Sequence, residues 1–176
     1  PLKPQNIKRL NHIILSTDEG APDMLKTFIR DVNTTHSDVE EVYVTQPLSS
    51  MRTNEIVEQA KLSDQTLVTL LVRIRMDKGI STIDSTHAYL LEKLNQSKID
   101  FVVVGFGSPY LPSYDYINSY MCTYGYGKVS QRAAANVLWG RKKAMGRLPV
   151  NLNSNFKRGT GILSNLPSAF IGKTDK

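Results

Sequence analysis

The run TLVTLLVRI, Thr66 to Ile74, decides the fold class of this chain. It is almost uninterrupted in its apolar character and rich in β-branched residues, a pattern typical of a strand that is buried on both faces. A second run of the same kind, FVVVGF, occupies Phe101 to Phe106. Strands buried on both faces are parallel strands covered by helices, so the two runs predict the centre of an α/β sheet.

Shorter strand and helix patterns alternate on either side of these runs. Further strands are predicted at His12–Leu15, Glu41–Thr45 and Met121–Tyr124, with a last extended segment at Leu148–Leu152. Helices are predicted from about Pro22 to Val32, Thr53 to Leu62, Ser85 to Asn95 with Ser85 and Thr86 as the cap, Val129 to Leu138, and briefly near Tyr114 to Ser119. We therefore expect a three-layer α/β/α sandwich around a mostly parallel, flavodoxin-like sheet of about five to six strands.

Length and composition exclude several classes of protein. A chain of 176 residues is long enough for one domain with a substantial core. Its single cysteine, Cys122, cannot form an internal disulfide, and no Cys/His pair has the spacing of a zinc site. No apolar run reaches the roughly 18 to 20 residues that a membrane helix needs. We expect no metal, no cofactor and no membrane span.

The net charge of +6 belongs to the C-terminal third. No acidic residue lies between Tyr116 and Thr174, and the basic residues there are Lys128, Arg132, Arg141, Lys142, Lys143, Arg147, Lys157, Arg158 and Lys173. A surface of this kind can bind an anionic partner such as a cell-wall polymer or nucleic acid, and a stand-alone binding module is one alternative. Glycines flank the Arg141–Lys143 cluster, which favours a solvated turn over a nucleic-acid site.

Parallel strands bring their carboxyl ends to one edge of the sheet, where ligands of such folds bind. We expect that edge to carry candidate residues that face a substrate or a neighbouring domain: Asp18, Glu19, Arg73, Arg75, Asp77, Gly107, Ser108 and Tyr110. A less favoured alternative is a phosphoacceptor receiver domain, in which the carboxylates of Asp18, Glu19 and Asp77 would hold Mg²⁺ and Lys128 would pair with the phosphoryl group, with Ser108 as the hydroxyl after the fourth strand. Asp77 lies in a loop rather than at the strand end, and no proline follows Lys128, which argues against it.

Other catalytic patterns are absent or weak. The turn after the first strand, Ser16–Gly20, has one glycine and two carboxylates, which would repel the pyrophosphate of a dinucleotide. No G-x-S-x-G nucleophile motif occurs, and Cys122 falls in a strand. The three histidines, His12, His36 and His87, are isolated from one another, so structural or surface roles are expected for them.

Three ordered stretches resemble a known family. They are LVRIRMDKG at Leu71–Gly79, DFVVVGFGSPY at Asp100–Tyr110, and QRAAANVLWG at Gln131–Gly140 followed by GRLPV at Gly146–Val150. Together they resemble the C-terminal (second) domain of glycoside hydrolase family three, and most closely its β-N-acetylhexosaminidase branch, which acts on peptidoglycan fragments in bacteria. The resemblance extends from about residue 10 to residue 152.

The resemblance implies a parent enzyme whose nucleophile lies on an N-terminal (β/α)₈ barrel, so this chain alone would be inactive. Some members of the family supply an acid/base glutamate from the loop after the third strand of this domain. The matching loop here, Arg75–Thr82, contains no Glu, which resembles the hexosaminidase branch and weakens a catalytic role for Asp77. The implied partners are the barrel and a carbohydrate at the domain interface, with no nucleic acid.

The tail differs in composition from the rest of the chain. Residues 153–176 are rich in Ser, Asn, Gly and Lys, as linkers are, so we expect a domain at residues 1–152 and a linker after it, which could lead to a further C-terminal domain. The compartment stays open, because the resemblance is compatible with a parent in the periplasm or cell envelope and with a cytoplasmic one.

Overall fold

The computed structural model describes residues 2–74, 82–117, 119–154 and 156–161, and the backbone of residues 171–172. Its strands are β1 (Leu10–Ser16), β2 (Val39–Val44), β3 (Gln65–Val72), β4 (Phe101–Gly107), β5 (Ser119–Cys122) and β6 (Ile171–Gly172). Its helices are α1 (Ala21–Met24), α2 (Lys26–Thr35), α3 (Ser50–Lys61), α4 (Ser85–Gln96) and α5 (Lys128–Leu138).

The sheet has the order β2-β1-β3-β4-β5-β6. The first five strands are parallel, and β6 pairs with β5 in the antiparallel sense. Strand β3 is buried at every position and pairs with β1 and β4, as its unbroken apolar pattern predicts. The expected α/β sandwich with a flavodoxin-like, mostly parallel sheet is confirmed.

Two apolar layers cover the sheet. On one face, α3 and α4 pack over side chains such as Ile13, Val68 and Val103. On the other face, α2 and α5 pack over Ile14 and Phe106, and Phe28 of α2 meets the Phe106 ring edge-on at 5.2 Å between ring centroids. Alternate residues of each strand thus face opposite layers, which fixes the strand register.

Four local predictions differ from the structure. The helix expected from Pro22 to Val32 is interrupted at Leu25, whose backbone (φ −99°, ψ 9°) separates α1 from α2. Asp84, rather than Ser85 or Thr86, caps α4, and its carboxylate accepts a hydrogen bond from the Thr86 backbone N–H. Within 114–117 the described residues form a turn instead of a helix.

The fourth difference is the segment Leu148–Leu152, which is not a strand. Its hydrogen bonds go to the chain that follows it: the Leu148 N–H donates to the Thr160 carbonyl, and the Leu152 N–H donates to the Phe156 carbonyl. Phe156 is buried against the Tyr114 ring. Packing therefore extends beyond residue 152, at least as far as Gly161.

None of the helices in the described ranges combines the length and the apolar character that crossing a bilayer would require.

Candidate functional site

The carboxyl ends of β1, β3 and β4 form a polar edge. We call this surface the carboxyl edge and define it by Asp18–Gly20, Arg73, Gly107–Tyr110 and Tyr126. Ser16 ends β1, and its hydroxyl donates to the Leu71 carbonyl at 2.9 Å while accepting from the Asp18 N–H at 3.1 Å. Asp18 Oδ1 in turn accepts from the Gly20 N–H at 3.0 Å. These local bonds hold the loop after β1 in one conformation.

Asp18 and Arg73 form an ion pair across the carboxyl edge. Arg73 Nη1 lies 2.5 Å from Asp18 Oδ2, and the Cζ atom of the same guanidinium lies 5.9 Å from the centre of the Tyr126 ring. The hydrogen bond to Asp18, followed by that to Tyr126, raises the pKa of Arg73 further above its usual value. Both side chains of the pair are partly exposed, so the ion pair orients the loop more than it stabilises the fold.

Glu19 has a different partner. Its carboxylate accepts a hydrogen bond from the Gln46 amide at 2.5 Å, and the Gln46 carbonyl lies 3.0 Å from the Nε2 atom of buried His87. The chain Glu19–Gln46–His87 therefore ties the loop after β1 to α4. Glu19 and Asp18 thus contact different groups.

The turn after β4 depends on a glycine. Gly107 has φ +90°, and a Cβ atom at this position would lie 2.2 Å from the Val72 carbonyl oxygen. That close approach allows the Ser108 N–H to donate to the same carbonyl at 2.8 Å. Ser108 is consequently buried, whereas Tyr110 is 42% exposed on the loop beyond it. Gly107 is required for its left-handed conformation and for the close contact.

Two buried tyrosines hold this turn through hydrogen bonds to its backbone. The Tyr114 and Tyr120 hydroxyls both donate to the Pro109 carbonyl, at 2.6 and 3.1 Å. Burial raises the pKa of Tyr114 to about 12 and raises that of Tyr120 well above its usual value. Both hydroxyls therefore stay protonated and act as donors at neutral pH.

Gln131 holds the opposite side of the edge together. This buried side chain accepts from the Phe28 N–H at 2.9 Å and donates to the Met24 and Tyr126 carbonyls, each at 2.7 Å. It thereby satisfies backbone groups at the interruption between α1 and α2, and it fixes the segment that carries Tyr126. Gln131 begins the sequence stretch QRAAANVLWG, but the sequence alone predicts no physical role for its side chain.

The remaining candidate groups are structural. His12 is buried in β1, its Nε2 lies 2.8 Å from the Thr69 hydroxyl, and burial lowers its pKa to about 3. His36 at the end of α2 lies 2.7 Å from the Ile7 carbonyl oxygen. Cys122 is half-buried at the end of β5, and burial raises the pKa of its thiol, so it is not an activated nucleophile.

The structure brings together only part of the predicted set. Asp18 and Arg73 are in direct contact, Gly107 and Ser108 lie against the end of β3, and Glu19 and Tyr110 flank them. Arg75 and Asp77 lie outside the described residues. In the described ranges no three His, Cys, Asp or Glu side chains converge as a metal site. Tyr126 belongs to the edge and Gln131 holds the segment that carries it, but neither was predicted as a site residue.

Comparison with known proteins gives structural but not sequence matches. No protein-family model and no curated protein matches this chain. A β-glucosidase from Listeria innocua in complex with glucose matches with a TM-score of 0.67 and 14% identity over 86% of this chain and 23% of its own. A family-three exo-β-xylosidase matches with a TM-score of 0.62 and 19% identity over 84% and 22% of the two chains.

A third match is a fungal multi-domain β-N-acetylglucosaminidase of family three, with a TM-score of 0.62 and 14% identity. It is covered over 17% of its length, against 88% of this chain. At these identities the similarity establishes the fold and not the activity. The chain corresponds in fold to a small part of multi-domain enzymes of glycoside hydrolase family three.

Proposed function

We propose that this chain is a non-catalytic accessory domain of a family-three glycosidase, packed against a (β/α)₈ barrel that carries the nucleophile. The observation that carries the proposal is the state of the carboxyl edge. Its two described carboxylates are engaged within the chain, Asp18 with Arg73 and Glu19 with Gln46. A retaining glycosidase needs two carboxyl groups about 5 to 5.5 Å apart on either side of one bond. The engagement of Asp18 and Glu19 supports a structural surface over a hydrolytic centre.

The chemistry of the edge supports contact with another domain. Tyr110 is 42% and Tyr126 is 37% exposed, and Arg73 lies over the Tyr126 ring. Tyrosine and arginine are enriched at protein interfaces because they combine a large apolar area with a polar end. The loops that present them are held by Gly107 and Gln131, so little conformational entropy would be lost on docking.

The finer assignment rests on the sequence resemblance. It places the parent in the β-N-acetylhexosaminidase branch, with residues 1–152 as the accessory domain, 153–176 as a linker, and a carbohydrate bound where this domain meets the barrel. The fold shared with multi-domain family-three glycosidases supports the assignment to a larger enzyme. Within the proposed linker, the carbonyls of Phe156 and Thr160 accept hydrogen bonds from Leu152 and Leu148 of the domain.

A stand-alone module for an anionic partner is the second candidate, and the basic C-terminal third favours it. Two of its arginines have internal roles, however, because Arg141 pairs with Asp31 at 2.8 Å and Arg147 donates to the Gly159 carbonyl at 3.1 Å. Fewer cations are therefore available to a polymer than the sequence suggests. Retention on an anionic polymer that falls steeply with salt would favour this candidate.

Association with a barrel tests the accessory role. The full chain would be titrated calorimetrically into a family-three hexosaminidase barrel that lacks its own second domain. We expect saturable binding that Tyr126→Ala and Arg73→Ala each weaken about tenfold, as for central aromatic and arginine contacts. Glu58→Ala, on the exposed surface of α3, is the matched control and should leave the affinity unchanged. Binding by no family-three barrel, or equal effects of the edge and control variants, would contradict the proposal.

A further inference from the structure

A groove with no assigned role opens beside the last parallel strand. It encloses about 330 Å³ between β5, the exposed side of α5 and the loop at residues 143–147, and we call it the β5 groove. Its floor is made by Met121 and Ala134, which are buried, and by Val137. Strand β6 pairs with Ser119 and Tyr120, so the described pairing stops before the part of β5 that faces the groove. The volume is at the lower end of the range for small-molecule sites, roughly 300 to 1,000 Å³.

The mouth of the groove exposes large apolar side chains. Val129 on α5 is 82% exposed and Met145 on the adjacent loop is 72% exposed. Both line the groove, so their apolar surface is continuous with its floor. A concave apolar surface of this kind gains free energy when a ligand removes it from water.

Cations stand at the same mouth. Lys143 and Arg147 line the groove, and the sequence from residue 117 to residue 173 contains no carboxylate to neutralise them. Lys143 makes no ion pair or hydrogen bond with another residue in the ranges that the structure describes. An apolar cavity with a cationic mouth and no carboxylate among its described lining residues is complementary to a molecule with an apolar body and one negative group.

We propose that the β5 groove binds a small amphipathic anion, an aliphatic or aromatic carboxylate whose apolar body lies on Met121, Ala134 and Val137 and whose carboxylate faces Lys143. None of the described residues that line the groove belongs to the carboxyl edge, and the proposal does not depend on the accessory role.

The proposal is tested by calorimetric titration of the full chain with decanoate and with decanol, which have the same chain length and differ in charge. We expect saturable binding of one decanoate per chain, with decanol about fivefold weaker because it lacks the attraction to the cations. The difference should shrink as the salt concentration rises from 0.01 to 0.5 M, since exposed charges are screened.

Two variants locate the ligand. Ala133 lines the groove and is exposed on α5, so Ala133→Phe would fill the cavity without disturbing the core, and decanoate binding should weaken at least about tenfold. Lys143→Glu should weaken decanoate about threefold and leave decanol unchanged. Lys157→Glu, an equal charge change away from the groove, is the control and should alter neither. Urea unfolding of each variant separates loss of binding from loss of folding.

Several results would overturn the proposal. They are the absence of saturable decanoate binding, binding that Ala133→Phe does not affect, and equal affinity for decanoate and decanol at low salt. A dimer that Ala133→Phe dissociates would assign the groove to a second copy of the chain. Leu166 lies in the tail, outside the described residues, and decanoate binding that arises only after Leu166→Asp would assign the groove to the chain's own tail. Either of the last two outcomes also overturns the proposal.

Discussion

The carboxyl edge and the β5 groove lie on the same sheet but differ in how their charged side chains are paired. At the carboxyl edge each described charge has an internal partner, and Arg73, Asp18 and Glu19 are held by side chains of other elements. At the β5 groove the apolar side chains Val129 and Met145 are exposed, and Lys143 has no described partner. A surface whose charges are already paired suits docking of a preformed domain. A concave surface with exposed apolar side chains and a cation without a described partner suits a small ligand.

The largest effect is expected from Gly107, which shapes the turn after β4 at the carboxyl edge. Gly107→Ala forces a Cβ against the Val72 carbonyl in a left-handed conformation, and we expect it to lower the free energy of unfolding by about 3 kcal/mol. Gly127→Ala is the control, since nothing lies within 4 Å of its added Cβ and its φ is −66°. Urea unfolding followed by Trp139 fluorescence measures both, and equal losses would contradict the account.

A change of pH tests the burial of His12 in the sheet that carries both regions. The pKa of His12 is lowered to about 3 in the folded state, so between pH 6.5 and 4 the unfolded chain binds a proton that the folded chain does not. The free energy of unfolding should therefore decrease as the pH is lowered from 6.5 to 4, by about 3 kcal/mol in total. The lowered pKa of Asp84, caused mainly by its hydrogen bond from Thr86, acts in a separate window, below its unfolded pKa of about 4.

Urea unfolding of the wild type and His12→Gln at several pH values measures the effect. The variant should show a flatter dependence on pH between 6.5 and 4, whatever its absolute stability. Equal slopes for the two proteins would mean that His12 is accessible to protons in the folded state.

Substitution of Gln131 should have a smaller effect on stability than that of Gly107, and it should affect the carboxyl edge through Tyr126. Gln131→Ala leaves the Phe28 N–H and the Met24 and Tyr126 carbonyls without their side-chain partner, and should cost about 2 kcal/mol of unfolding free energy. It should also weaken barrel binding, because Tyr126 loses its fixed position. Gln96→Ala, at the exposed end of α4, should change stability by less than about 0.5 kcal/mol. Equal effects of the two substitutions in urea unfolding would refute the role assigned to Gln131.

The smallest effect on stability is expected from the charges themselves. Asp18→Asn removes a partly exposed ion pair and Lys143→Glu changes an exposed cation, so neither should move the urea midpoint appreciably. The two should differ in binding instead: Asp18→Asn should affect the barrel and Lys143→Glu the carboxylate. Crossed effects would show that the two regions are not independent.

The central sheet could be predicted because its signal is local. Burial on both faces makes β3 and β4 continuous apolar runs, and the order of strands and helices then implies the sandwich. The residues that shape the site could not be predicted in the same way. Asp18 and Arg73 are 55 positions apart, and Gln131 bonds to backbone atoms more than 100 positions away.

The groove was not predicted for a related reason. It forms where the loop at residues 143–147 lies beside α5 and β5, and a helix pattern shows which side faces the sheet but not what lies beside it. Lys143 and Met145 look like ordinary surface residues in the sequence. Only the structure shows that they line one groove together with Val129.

Turnover by the isolated chain tests the central claim most directly. The purified 176-residue chain would be incubated with an aryl β-N-acetylglucosaminide, and release of the aryl group would be followed against a buffer blank. The account predicts no release above the blank, because the described carboxylates of the carboxyl edge are held by Arg73 and Gln46. Release that is saturable in substrate and abolished by Asp18→Asn would contradict it.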